Sequence, residues 1–212
     1  MSRVLVIAPH ADDEVLGAGG TILKHVSNGD DVNVVIVTDR ADLEKRQRQQ
    51  SSQVSTELGV NKLYHLGLED EHLDKEIKLI ITSLEQTYNE VKPDIIYTCH
   101  SHDVNIDHQA VFKASTVVCR RLQQHPPSRF LSYEIPSSTE QGYTVPFVPN
   151  VYNVLTADEV EQKIDAFEIY TDEIRPMPNP RNADGLCNYA CQRGMECGSM
   201  FAEAFLLLYE RQ

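Results

Sequence analysis

His10, Asp12, Asp13 and Glu14 stand together in the stretch PHADDE, directly behind the apolar run Val4 to Ala8. Several carboxylates crowded at one point repel one another unless exposure or a cation relieves them. A second concentration of the same residue types, HSHDVNIDHQAVF from His100 to Phe112, follows the apolar run Ile95 to Cys99. A zinc site for hydrolysis needs three protein ligands of imidazole or carboxylate type, with a fourth position open to water. His10, Asp13 and His108 would supply that set. Asp12 would then be left to take a proton from the water, whose pKa a bound ion lowers toward about 7. Adjacent aspartates cannot easily ligate one small ion together, so a division of labour between Asp12 and Asp13 is expected. The competing reading is ordinary helix capping by an Asp ahead of an apolar run. The same donors suit Fe2+ or Co2+ as well as Zn2+.

Chemistry of this kind needs elements that bring the two loops to one place. Val4 to Ala8, Val32 to Val37 and Ile95 to Cys99 are short, rich in β-branched residues and bounded by turn residues, as strands covered on both faces should be. Between them, Ile77, Ile80, Ile81, Leu84 and Tyr88 follow helical spacing, as do Val111, Ser115, Val118 and Leu122, while Gly29 and Gly59 fall just past helix ends. Alternating strands and helices predict an α/β fold, a mostly parallel sheet with helices on both faces. Ligands then bind at the carboxyl ends of the strands, where both acidic loops begin. Phe130 to Ile135 reads as a further strand. Thr156 and Glu159 read as a capping box opening a helix through Val160, Ile164, Phe167 and Tyr170. The final apolar run, Phe201 to Tyr209, fits either helix or strand. The C-terminal third is expected to build walls around the site within a single domain spanning 1–212.

Composition excludes several classes. With 212 residues, 41% of them apolar, the chain can bury a full core. Thirty-two acidic against nineteen basic residues give a formal charge of -13, which argues against nucleic acid and anionic membrane surfaces as partners. The first apolar run is too short for a signal segment and no stretch approaches a membrane span, so a soluble, cytoplasmic protein is expected. Five cysteines, at 99, 119, 187, 191 and 197, form no C-x-x-C pair and read as reduced thiols, the last three packing on one helix face.

On these residues the chain resembles the PIG-L deacetylase family, also called LmbE-like, whose Rossmann-like members use zinc to remove acyl groups from N-acetylglucosamine-containing molecules. The family's opening A-H-P-D-D-E and glycines are matched by APHADDEVLGAGGT, with Ala11 in place of the usual proline. Its Asp-His before a helix is matched by NIDH, its L-G-x-x-D by LGLED, and its late P-R-S and A-E-A-F segments by NPRN and FAEAF. The resemblance implies His10, Asp13 and His108 as metal ligands and Asp12 as general base. It implies that Asp107 orients the catalytic groups. Many members carry a histidine three residues before the last ligand, where it stabilises an oxyanion, but here that position is Asn105. Asn105 can still donate a hydrogen bond there. It cannot protonate a leaving amine, and that role falls to protonated Asp12, to His102 or to another group.

The same resemblance points to Arg46, with Arg48 as its alternative, and to Asp70 as substrate contacts. It aligns Arg181 and Glu203 with the late motifs, as a pair with each other or as substrate contacts. PSSTEQGYTVPFVPN is a candidate lid. The implied activity is zinc-dependent N-deacetylation of an amino-sugar conjugate, a small molecule whose second component the sequence does not identify. A metal-dependent amidase for a thiol conjugate or a non-sugar N-acyl compound is the alternative, and a non-catalytic sugar-binding module a third reading. The oligomeric state stays open, a homo-oligomer included.

Overall fold

Val4 to Ala8 are each at most 1% exposed, as a strand covered on both faces requires. In the computed structural model, which describes residues 1–40 and 44–212, they belong to β1 (Arg3–Ala8) of a seven-stranded sheet. The order across the sheet is β3 (Lys62–Glu69), β2 (Asp31–Asp39), β1, β4 (Ile95–Thr98), β5 (Arg129–Tyr133), β7 (Phe201–Glu210) and β6 (Val151–Leu155). From β3 to β5 every pairing is parallel; β7 is antiparallel to both β5 and β6. The sheet is therefore α/β and mostly parallel, with a mixed edge.

Right-handed crossovers distribute the helices. The connections from β1 to β2 and from β2 to β3 carry α1 (Asp13–Ser27) and α2 (Glu44–Glu57). Those from β3 to β4 and from β4 to β5 run the opposite way across the sheet, so α3 (Ile77–Val91) and α4 (Ile106–Val118) pack together on the other face. α5 (Ala157–Glu168) packs on α1, and α6 (Ala183–Cys197) on α5 and β7. No helix among the described residues is long and apolar enough to cross a membrane.

The run from Phe201 resolves as a strand because it has partners on both sides, β5 and β6. The expected capping box is complete: Glu159 N–H donates to Thr156 Oγ1 at 3.1 Å and Thr156 N–H to Glu159 Oε2 at 2.7 Å. Two helices are shorter than their periodicity implies. α4 stops at Val118 ahead of a turn, leaving Leu122 95% exposed, and α5 stops before Tyr170, which is buried under α1 instead. The cysteine run lies on α6, with Cys187 and Cys191 one turn apart, and all five thiols are free.

α1 is bent at Ala18, whose φ and ψ of -146° and 15° are not helical. The Gly20 and Thr21 N–H groups donate to the Glu203 carboxylate at 3.0 and 2.7 Å, and Lys163 Nζ donates to Leu16 O at 2.9 Å and to Glu203 Oε1 at 2.6 Å. A buried ion pair thus takes over the backbone groups that the bend removes from the helical ladder.

Candidate metal centre and its cavity

β1 and β4 are adjacent, yet their crossovers leave toward opposite edges of the sheet. A crevice opens at the carboxyl ends of such a strand pair, and here the loops after β1 and β4 form its sides. His10 Nδ1 lies 3.1 Å from Asp13 Oδ2 and 3.1 Å from His108 Nε2, and His108 Nε2 lies 3.3 Å from Asp13 Oδ2. Donors about 2.0–2.2 Å from a tetrahedral ion sit about 3.4 Å apart, so the triangle has the size of one face of such a site. Asp13 Oδ1 is buried without a hydrogen-bond partner among the described residues. Three electron-rich atoms converging beside an orphaned carboxylate oxygen fit a divalent cation.

The outer nitrogen of each imidazole faces carboxylates. His10 Nε2 is 3.0 Å from Asp70 Oδ1 and 3.5 Å from Asp107 Oδ2. His108 Nδ1 is 3.1 Å from Asp103 Oδ1, off the line of a straight hydrogen bond. Such partners fix which ring nitrogen presents its lone pair inward. Asp107 is anchored in turn by the Glu71 and Leu73 N–H groups, at 2.7 and 3.0 Å, so it does not cap its own helix. Asn105 does that, accepting from Asp107 N–H at 2.8 Å.

Asp12 is held in a conformation that non-glycine residues rarely adopt, with φ 121°. Its N–H donates to Glu14 Oε2 at 3.1 Å, and Glu14 Oε1 accepts from the Tyr170 hydroxyl at 2.5 Å. Arg181 Nη1 donates to Asp12 Oδ2 at 2.9 Å and to Glu173 Oε2 at 3.3 Å, while its Nε donates to Ser137 Oγ at 2.8 Å. The strained turn thus delivers the Asp12 carboxylate to the cavity wall, clamped by one guanidinium.

Burial and neighbouring charge compete at each of these side chains. Burial pushes the Asp12 carboxyl well above its usual range against the pull of Arg181. Burial acts on Asp13 in the same direction, but the two imidazoles outweigh it and hold Asp13 far below the usual range. Burial pulls His108 down, yet Asp13 and Asp103 reverse this and carry it to about 9. His10 is raised well above its ordinary value against its own burial, by Asp107, Asp13 and Asp70.

The cavity over this cluster has a volume of about 480 Å³. His10, Asp12, Asp70, Asn105, Asp107, His108 and Arg181 all line it, so the two loops and the late P-R segment do converge. Three expected residues lie elsewhere. Arg46 turns away to Asp172 and Thr171, at 3.0 and 2.8 Å, and its alternative Arg48 pairs with Asp39. His102 is exposed and bonded to Ser101 Oγ at 2.8 Å. Glu203 meets neither Arg181 nor the cavity, because the bend in α1 and Lys163 claim its carboxylate. The proline-rich stretch contributes support rather than a lid: Ser138 and Thr139 donate to Asp103, and no residue of the stretch lines the cavity.

Sequence reading missed Asp103, Glu173 and Arg40. Arg40 lines the cavity, 3.9 Å from Asp70 and 3.7 Å from Glu173. Its position directly after β2, beside β1 in the sheet, was the available signal. Asp103 stands in the second acidic loop itself, but nothing local separates it from a turn residue.

The profile of the family described as "PIG-L: GlcNAc-PI de-N-acetylase" matches residues 5–119, a span that contains both acidic loops. The protein of Escherichia coli (strain K12) named "Uncharacterized deacetylase YaiS" is 27% identical over 173 residues, covering 78% of this chain and 88% of that one. The N,N'-diacetylchitobiose deacetylase of Pyrococcus horikoshii superposes with a TM-score of 0.80 at 21% identity, covering 98% of this chain and 84% of that one. GalB, the 4-carboxy-2-hydroxymuconate hydratase of Pseudomonas putida KT2440, superposes with a TM-score of 0.78 at 18% identity, over 100% and 98% of the two chains. At these identities the two structural likenesses are likenesses of fold, and the fold serves more than one reaction.

Proposed function

Because the chain belongs to the PIG-L (GlcNAc-PI de-N-acetylase) family, we propose that its cavity hydrolyses the N-acetyl amide of a small N-acetylglucosamine-containing molecule, releasing acetate and a free amino sugar. The observation that carries this reading is the convergence of His10, Asp13 and His108, with Asp12 beside them on the cavity wall. Zn2+ held by those three residues would supply Lewis acidity, lowering the pKa of a water and polarising the acyl carbonyl; Fe2+ or Co2+ would serve in the same donor set.

Asp12 accepts the proton of the attacking water. Arg181 keeps the Asp12 carboxylate turned toward the cavity, and Asp70 and Asp107 keep His10 turned toward its ligand role. Asn105 spends its amide oxygen on the α4 cap, which leaves its NH2 group to donate to the developing oxyanion. With His102 outside the cavity lining, Asp12 returns its proton to the departing amine.

The test is acetate release by metal-repleted protein from a panel of N-acetylglucosaminides and non-sugar N-acyl compounds. In Asp12→Ala the metal stays bound and kcat falls about 10²–10⁴-fold. Loss of metal together with activity would make Asp12 a ligand and overturn the division of labour. Release only from thiol conjugates or non-sugar amides would favour the wider amidase reading, and release from none a binding module.

A further inference from the structure

The walls of the cavity constrain what is attached to the sugar. Six acidic side chains line it: Asp12, Asp70, Glu71, Asp74, Asp107 and Glu173. The two arginines, Arg40 and Arg181, are engaged with members of that set, Arg181 with Asp12 and Glu173, Arg40 with Asp70 and Glu173, and the two lining imidazoles, His10 and His108, face Asp13, Asp70, Asp103 and Asp107. A divalent ion would lose one of its two charges to Asp13 alone. Glu71 and Asp74 are exposed on the outer wall, Glu71 in the turn after β3 and Asp74 in the short 3-10 helix Leu73–Lys75. Facing into the same cavity are Val104, in the loop after β4, and Ile106, the first residue of α4, 50% and 60% exposed. The mouth therefore combines an acidic wall with an apolar lip.

Resting on the deacetylase reading above, we infer that the group beyond the reacting amino sugar is uncharged or cationic, and that carboxylate- or phosphate-bearing aglycones are rejected. Sugar hydroxyls donate to carboxylates, and the C–H face of a ring packs on Val104 and Ile106. An anion in the same place gives up its hydration to sit against Asp70, Glu71 and Asp74. The net charge of -13 also slows the approach of anions.

Methyl, aminoethyl and carboxyethyl glycosides of N-acetylglucosamine, of one anomeric configuration, provide the test on zinc-loaded protein. Two readouts are taken: kcat/KM for acetate release, and calorimetric binding of the corresponding deacetylated glucosaminides. Both are expected to favour the uncharged and cationic compounds by about tenfold or more over the carboxylate, with the gap narrowing as ionic strength rises. The double variant Glu71→Lys, Asp74→Lys, altered only at exposed positions, is expected to shrink or invert the ratio. Equal or better handling of the carboxylate overturns the inference, as does a ratio the double variant leaves unmoved. Absence of acetate release from all three compounds defeats the deacetylase reading, while the binding readout still decides the charge preference; binding of none overturns the inference as well.

Discussion

Asp103 is the side chain on which the second histidine depends. It accepts from Asn105 N–H at 2.8 Å and Thr139 Oγ1 at 2.6 Å, takes a further bond from Ser138, and faces His108 Nδ1 at 3.1 Å. Burial pushes its carboxyl up, but His108 and the two hydroxyls bring it below the usual range, so it stays a charged anchor. Removing that charge while keeping the shape, as in Asp103→Asn, is expected to weaken metal binding about 10–100-fold, measured by competition with a chromophoric chelator. Thr139→Val removes one hydroxyl without touching His108. Because Thr139 Oγ1 also accepts from the buried Ile135 N–H at 2.8 Å, the change should cost about 1–3 kcal/mol of stability and leave metal affinity as it was; equal metal loss in the two variants would show that Asp103 acts through loop packing instead. The grouping of His10, Asp13 and His108 was legible in the sequence at this scale because each stands in a loop directly behind an apolar strand-like run. Asp103 was not, because an aspartate in a loop is also the commonest of turn residues.

At the scale of elements, α1 lies unusually close to the sheet and to β6. A Cβ built on Gly17 would lie 2.1 Å from Cδ2 of Tyr133, and one on Gly20 would lie 2.4 Å from Leu155 Cδ1. The Tyr133 ring has no room to yield, since it is fully buried and its hydroxyl donates to Ile7 O at 2.7 Å. Gly17→Ala is therefore expected to destabilise the protein by about 1–3 kcal/mol in a urea titration, the usual cost of overpacking a core. An unchanged midpoint would mean that α1 can lift away from β5. Because Asp12 and Asp13 lead directly into this helix, such a lift would also move the site. The strands β1, β2 and β4 were readable from their apolar runs. β3 and β6 were not: β3 is only half-buried along most of its length, and β6 lies at the other edge among prolines, so neither shows a continuous apolar run.

Across the whole molecule, the late chain closes onto the first helix. Lys163 from α5 and Glu203 from β7 meet inside the bend of α1, joining the C-terminal third to the helix that follows the His10–Asp13 loop. Taking one partner from a buried ion pair leaves the other charge uncompensated. Glu203→Ala is expected to lose about 3–5 kcal/mol of unfolding free energy by denaturant titration, while KM of the folded fraction stays unchanged. A raised KM at full stability would restore Glu203 as a substrate contact. Arg181 makes a second link of this kind, reaching Asp12 from 169 positions along the chain.

By itself the sequence determined the alternation of strands and helices and the placing of His10, Asp12, Asp13 and His108 at strand ends, because these follow from local periodicity and from residue type. The tertiary structure decided which charges find one another. Arg181 could have met Glu203 or Asp12 as far as its own surroundings in the sequence go. It meets Asp12 because the bend in α1 consumes Glu203 first, through two backbone amides and Lys163. Pairings between residues 169 positions apart depend on what else each group has already satisfied, and that is a property of the packed chain.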